Sequence, residues 1–238
     1  MMFMEAGFNF SSLKMYYDHM VVILRQASER MREAGKRTEA EYKKKQREYD
    51  KEYWGKFHKV FAEVYPGYFH NSFLISACSL FEHEVKKLCA LIQEEHKVPV
   101  EWDDMQGPAP VKTKRFLRFA GIALQDDRPR VVLPPPDFTP TTLYDENRTL
   151  ISALWKELEN YFRIRNCIAH DNSLVQKARG SARIQEYATE KGILVDKEGQ
   201  LEVQLNEDFN KEVCDKMEKF FQKLMSAYYS TPLPEETD

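Results

Sequence analysis

The chain has 238 residues, 42% of them hydrophobic and 31% charged, which is enough apolar matter to bury a core and too much for a disordered chain. Its net charge of −3 excludes capture of nucleic acid by a global positive field, so any RNA contact has to rest on local patches. There is no basic stretch followed by a long apolar run at the N-terminus, and no run of about 18 apolar residues, so the expectation is a soluble cytoplasmic chain without signal peptide or membrane span. The four cysteines (Cys78, Cys89, Cys167, Cys214) form no C-x-x-C pair and sit in apolar helical contexts. They read as small core residues with reduced thiols, not as zinc ligands.

Glycine is scarce and proline is clustered, so the long stretches between them read as helix. Residues 12–64 are expected to form one long helix, or two end to end, with Ser11 or Ser12 as cap and Gly35 as a point of breakage. The middle of this segment is densely charged. Its later part carries a stripe at Tyr42, Tyr49, Tyr53, Phe57, Val60, Phe61 and Val64. Pro66-Gly67 is read as its end. A second helix is expected over 69–96, burying Phe73, Leu74, Ala77, Cys78, Phe81, Val85, Leu88, Leu91 and Ile92. A loop follows at 97–111, then a short helix at 112–124, then an irregular proline-rich stretch at 131–140. A third main helix spans about 144–170 and is ended by the turn residues Asp171-Asn172-Ser173. Residues 174–191 are polar and ambiguous. Residues 192–205 read as a hairpin turning between Asp196 and Gln200. The last helix is expected at 207–229, with Asn206 as its cap. The organisation is therefore a helical N-terminal region (1–66), a helical domain with an inserted hairpin (67–230) and an acidic tail (231–238).

The most informative anomaly lies in the third main helix. At about 100° per residue, Leu150, Leu154, Leu158, Tyr161 or Phe162, and Ile168 or Ala169 share one apolar arc. Arg165 falls in the middle of it, where a leucine is expected. A guanidinium is not buried alone without heavy cost, so it must meet a carboxylate, a cleft, an anion or another subunit. His170 lies five residues on, about 140° around an ideal helix. The two side chains converge only if the helix unwinds near Asp171, if the arginine reaches along its axis, or if two chains each contribute a motif.

The chemistry of this pair suits RNA cleavage. Attack of a 2′-OH on the neighbouring phosphate needs a group that takes and gives a proton near neutrality, which is histidine. It also needs a fixed cation on the phosphate oxygens, which arginine supplies bidentately. Asn166 adds a polar group beside Arg165, and Arg163 adds positive charge to the same helix.

The run Arg165-Asn166-Cys167-Ile168-Ala169-His170 is R-x4-H with Asn in the polar slot, and it follows an upstream helix Ser76-Ala77-Cys78-Ser79-Leu80-Phe81-Glu82-His83-Glu84. Together these resemble the HEPN superfamily, marked by R-x4-6-H on the third helix of a small bundle and by an acid ending an apolar stretch on the second. The resemblance covers residues 68–229. It implies an all-α, HEPN-like helical bundle, here with a long N-terminal helix and a small inserted hairpin. It further implies a homodimer with both motifs facing a shared cleft, and metal-independent endoribonuclease activity. Many such proteins act as toxins or in defence against phage, beside a neutralising antitoxin or another subunit of a defence complex, and some have lost catalysis. The pattern makes Glu82 the acid that orients Arg165, whereas helical geometry places Glu84 closer to the apolar arc. Both remain open.

Lys112, Lys114, Arg115, Arg118, Arg128 and Arg130, with Phe116 and Phe119 between them, form a basic and aromatic stretch of the kind that holds single-stranded RNA. The other histidines (His19, His58, His70, His83, His96) form no metal-binding spacing, and no glycine-rich phosphate loop is present, so neither metal nor cofactor is expected. The competing reading is a non-catalytic helical module that dimerises through the same helices. In that case Arg165 is a structural arginine paired to Glu82 or Glu84.

Overall fold

A computed structural model describes residues 2–44, 51–120 and 148–229. They form an all-α fold with one small antiparallel hairpin, in the order α1 (Met2–Lys44), α2 (Lys51–Lys59), a π-helical turn (Val60–Val64), α3 (Tyr65–His96), α4 (Ala109–Phe119), α5 (Arg148–Asp171), a 3-10 turn (Val175–Lys177), α6 (Ser181–Glu190), β1 (Leu194–Lys197), β2 (Gln200–Val203) and α7 (Glu207–Tyr229). Among the described residues no helix is long and apolar enough to cross a membrane. The proline-rich stretch 131–140, Arg128, Arg130, Tyr49 and the tail 231–238 lie outside the described residues.

The core sits where α3, α5 and α7 meet. Phe81 of α3 is its hub, with ring centroids 5.8 Å from Phe162 of α5 and 5.6 and 5.2 Å from Phe220 and Phe221 of α7. Trp155 packs on Phe220 at 4.8 Å. A fully buried aromatic of this kind contributes about 3–5 kcal/mol by the cost of its removal. α1 closes the bundle by laying Phe10 against Phe221 (5.5 Å) and Tyr17 against Phe73 (4.1 Å). All four cysteines are free and buried, as expected of core residues, and burial pushes the thiols of Cys167 and Cys214 up to about 11 and about 12.

Three expectations about the N-terminal third are corrected. α1 already runs from Met2, so Ser11 and Ser12 are helix-interior residues and not a cap. Burial of Phe10, immediately before them, outweighs their capping preference. Gly35 does not break α1; it faces Trp54 and Gly55 across a small cavity of about 310 Å³ between α1 and α2. Pro66-Gly67 does not end a helix, because the chain stays helical from Lys51 to His96 through the π turn. Pro66 stands in the first turn of α3, where its missing N–H is tolerated, while the Tyr65 N–H bonds back to the Val60 carbonyl over five residues.

The later elements follow local chemistry closely. Lys97, at φ 50°, closes α3. The Phe209 N–H donates to Asn206 Oδ1 (2.8 Å), the expected cap of α7. The hairpin pairs Leu194 with Val203 and Lys197 with Gln200 around Glu198-Gly199, both at positive φ (56° and 82°). This is the two-residue turn whose twist matches the strands, and Asp196 Oδ1 accepts the Gly199 N–H (2.8 Å). The ambiguous stretch 174–191 contains α6, which buries Ile184, Tyr187 and Ala188.

Candidate functional site

α5 positions the R-x4-H residues. Leu154, Trp155, Leu158, Tyr161, Phe162, Ile164, Cys167 and Ile168 are all buried, whereas Ala169 and His170 are exposed. Tyr161 and Phe162 therefore both join the core, and so does Ile164, which the apolar arc did not include. Arg165 interrupts this face half-buried. Its Nη1 donates to Asn166 Oδ1 (2.8 Å), while its Nε is buried and has no hydrogen-bond partner. No ion pair to a carboxylate is found for Arg165 among the described residues. A buried N–H of a charged group left without an acceptor is costly, and such a group in a native fold calls for an anion or a partner surface.

The two rival acids of α3 separate cleanly. The Glu84 side chain is buried and accepts from Asn9 Nδ2 of α1 (3.1 Å), with Lys87 Nζ 3.6 Å away. It belongs to the α1–α3 contact, at one end of a shallow groove lined also by Ser12, Leu13, Ser76 and His83. Glu82 lies on the other flank of α3, where its charge and that of Arg165 both act on the buried Cys78 thiol. Glu82 and Arg165 form no ion pair with each other among the described residues; what they share is the neighbourhood of Cys78.

His170 occupies the last turn of α5, which ends with unusual backbone. Asn172 and Ser173 both adopt left-handed φ (52° and 66°), a conformation that costs a non-glycine residue about 1–2 kcal/mol, less for Asn. The Ser173 N–H reaches back to the Cys167 carbonyl (3.1 Å) and the Leu174 N–H to that of Asp171 (3.0 Å). The Ser173 carbonyl accepts the Val203 N–H (2.9 Å), and Leu174 bridges Glu202. The hairpin thereby clamps the turn that follows His170. Because α5 stays α-helical through Asp171, unwinding does not bring His170 to Arg165. The two side chains leave the helix about 140° apart and about 7.5 Å along its axis.

The remaining expected residues are scattered. Arg163 points away from Arg165, donating to Asn160 Oδ1 (2.7 Å) and Glu159 Oε2 (3.2 Å). Lys114, Arg115 and Arg118 lie on α4, whose buried face is Ala109, Pro110, Thr113, Phe116 and Leu117. Arg115 Nη1 donates to the Gln106 carbonyl (3.0 Å), and Lys112 Nζ caps the Trp102 ring at 4.6 Å. Phe116 is fully buried, so it offers no stacking face for a base; Phe119 is exposed.

Two polar clusters had not been singled out from the sequence. In the first, Tyr17 Oη lies 2.8 Å from His70 Nδ1, and Asn210 Nδ2 donates to the His70 carbonyl (3.1 Å) and stands 3.3 Å from Nδ1. Burial lowers the pKa of the imidazole against the opposing pull of Glu207, which favours its neutral form. In the second, Lys191 Nζ binds Glu212 (2.6 Å) and lies 3.7 Å from Glu157, which accepts from Tyr187 Oη (2.6 Å). Tyr161 Oη donates to Glu212 at 3.4 Å. Asn210 is a polar residue on the apolar stripe of α7, the same kind of signal that exposes Arg165.

No family model, no curated protein and no solved structure matches this chain.

Proposed function

We propose that the protein is a metal-independent endoribonuclease of HEPN type, acting as a homodimer in a toxin or anti-phage defence system. The observation that carries this reading is Arg165: a guanidinium in the middle of a core-facing stripe, with a buried Nε and, among the described residues, only Asn166 as hydrogen-bond partner. In this reading the phosphate of an RNA strand is the missing acceptor. Arg165 binds its oxygens and stabilises the charge that builds as the 2′-OH attacks. Asn166 fixes the guanidinium plane through Nη1. His170 takes the proton of the 2′-OH or delivers one to the leaving 5′-oxygen. Glu82 offsets the charge of Arg165 between turnovers. The angular separation of Arg165 and His170 on one helix favours assembly of the site from two copies, each supplying one motif to a common cleft.

The same separation also favours a second reading, in which the helices dimerise without catalysis and Arg165 meets an acid of the other copy. Cleavage of a mixed RNA pool in EDTA, wild type beside His170→Ala, tells them apart. The proposal expects products with 2′,3′-cyclic phosphate ends, reduced at least a hundredfold in the variant. Intact RNA after incubation with folded wild-type dimer sinks it and leaves the interaction module. A neutralising partner of a toxin is expected to restore the wild-type RNA pattern when added.

A further inference from the structure

The stripe noted at Tyr53, Phe57 and Phe61 does not enter the core. Together with Tyr65 it forms a run of rings at four-residue spacing, with centroids 6.1, 5.4 and 5.1 Å apart. On a regular α-helix such a stripe drifts about 40° at each step. The π turn Val60–Val64, which fits more residues into a turn, takes part of that drift back. Tyr53, Phe57, Tyr65 and the neighbouring Tyr68 are 56%, 38%, 47% and 68% exposed. A row of rings this exposed along α2, the π turn and the start of α3 is a large apolar surface left in water, the mark of a binding face.

We infer that this edge, from α2 through the first turn of α3, is a landing strip for single-stranded RNA that leads the strand toward Arg165. The identity of the ligand rests on the ribonuclease reading above; the strip itself rests on three separate observations. First, the row is built of aromatic rings, the side chains that stack on any base, and Lys56 and Lys59 alternate with them. Lys59 lies 4.0 Å from Glu63, a loose pair that a phosphate can compete for. A coiled-coil seam, by contrast, is built from aliphatic side chains.

Second, the charge is in the right place. Residues 29–44 and 51–64, the outer part of α1 with α2 and the π turn, hold nine Lys and Arg against six Asp and Glu. This part of the chain is therefore +3, and the remaining residues together are −6. A polyanion is attracted to this part and repelled by the rest. Third, the strip runs on along α3, the helix that also carries Glu82. Tyr65 and Tyr68 share the outward face of α3 with the exposed Ser72, Ser76 and Ser79. The hydroxyls of Ser76 and Ser79 are folded back onto the carbonyls of Ser72 and Ile75 (2.9 Å each), so this face is low and open. It reaches the level of Glu82 about 21 Å beyond Tyr68.

The experiment measures binding of fluorescent oligouridines of about 4 and about 20 nucleotides, lengths at the lower end of and above the usual site size of one binding groove, to full-length His170→Ala. The same protein carrying Tyr65→Ala and Tyr68→Ala is run beside it. The long oligomer is expected to bind at least tenfold more tightly than the short one. The double variant is expected to lose most of that length dependence. Equal affinities for the long oligomer in both proteins overturn the inference. So does a change of oligomeric state in the double variant on gel filtration, which assigns the rings to a contact between copies. If length-dependent binding needs the rings yet wild type leaves RNA intact, the strip stands and the ribonuclease reading fails. If wild type cleaves and the rings do not affect binding, the reading stands and the strip fails.

Discussion

Two basic side chains of this fold, Lys191 and Arg165, lie at different levels of α5 and have opposite surroundings. Lys191 reaches the Glu157–Tyr161 level of the helix, where it meets Glu157, Glu212 and the ring of Tyr187 at 5.5 Å. Arg165, one to two turns further on, has Asn166 and a buried Nε without an acceptor. Both are charges beside a core. The first is a finished network that ties α5, α6 and α7 together. The second is an unfinished one, and evolution has had an easy alternative in leucine. A fold retains a satisfied charge for stability or specificity, whereas an unsatisfied one is better explained by what it binds.

That contrast is open to direct attack. The largest effect is expected from Arg165→Met, which should reduce RNA cleavage about a hundredfold to a thousandfold by removing the phosphate clamp. Denaturant unfolding of the same variant should show equal or greater stability, because an orphaned buried N–H has been replaced by methylenes. A marked loss of stability would make Arg165 a structural residue. Lys191→Met should do the reverse. It leaves Glu157 and Glu212 facing each other and should cost about 1–3 kcal/mol of unfolding free energy with cleavage retained.

Acid provides a third handle. Burial favours the neutral form of His70 and holds its pKa below the ordinary imidazole value, so folding disfavours its protonation. Its contribution is complete above about pH 6.5, the unfolded value, and is lost as the pH falls through the lower folded value. The groups facing it are Tyr17 of α1, and Asn210 and Glu207 of α7; the Glu207 carboxyl is itself held low by Lys211 and Arg25. Urea midpoints at pH 7 and pH 5 should therefore diverge in wild type and converge in His70→Gln. The smallest effect belongs to the backbone after His170. Ser173→Gly should gain about 0.5–1 kcal/mol, since glycine adopts φ 66° freely, and thermal unfolding would register it.

How much of this was legible in the sequence depends on whether the deciding force was local. The Asn206 cap, the Glu198-Gly199 turn and the end of α5 at Asp171 are set by residues within a few positions, and each was found where local rules place it. The anomaly at Arg165 was legible because it breaks a periodic pattern. That Glu84 would be taken up by Asn9 of α1 was not, since Glu82 and Glu84 differ only in which neighbouring helix lies on each flank of α3. The start of α1 was missed because Phe10 finds its partner Phe221 at the other end of the chain. Pro66 was taken as a stop because a π turn before it carries no sequence signature. Phe116 was taken for a stacking ring because an amphipathic helix and a basic aromatic patch share one composition.

The packing of α1 on α7 carries a consequence for synthesis. Tyr17 meets Asn210 across 193 positions, and Lys14 and Arg25 pair with Asp215 and Glu207 across 201 and 182. α1 thus leaves the ribosome long before its partner α7, and Phe10, Tyr17 and Val21 stay partly uncovered until residues 207–229 have emerged. A cell making this chain is therefore exposed to the assembled bundle only after translation of α7, and a product truncated before α7 lacks the surface on which α1 must close.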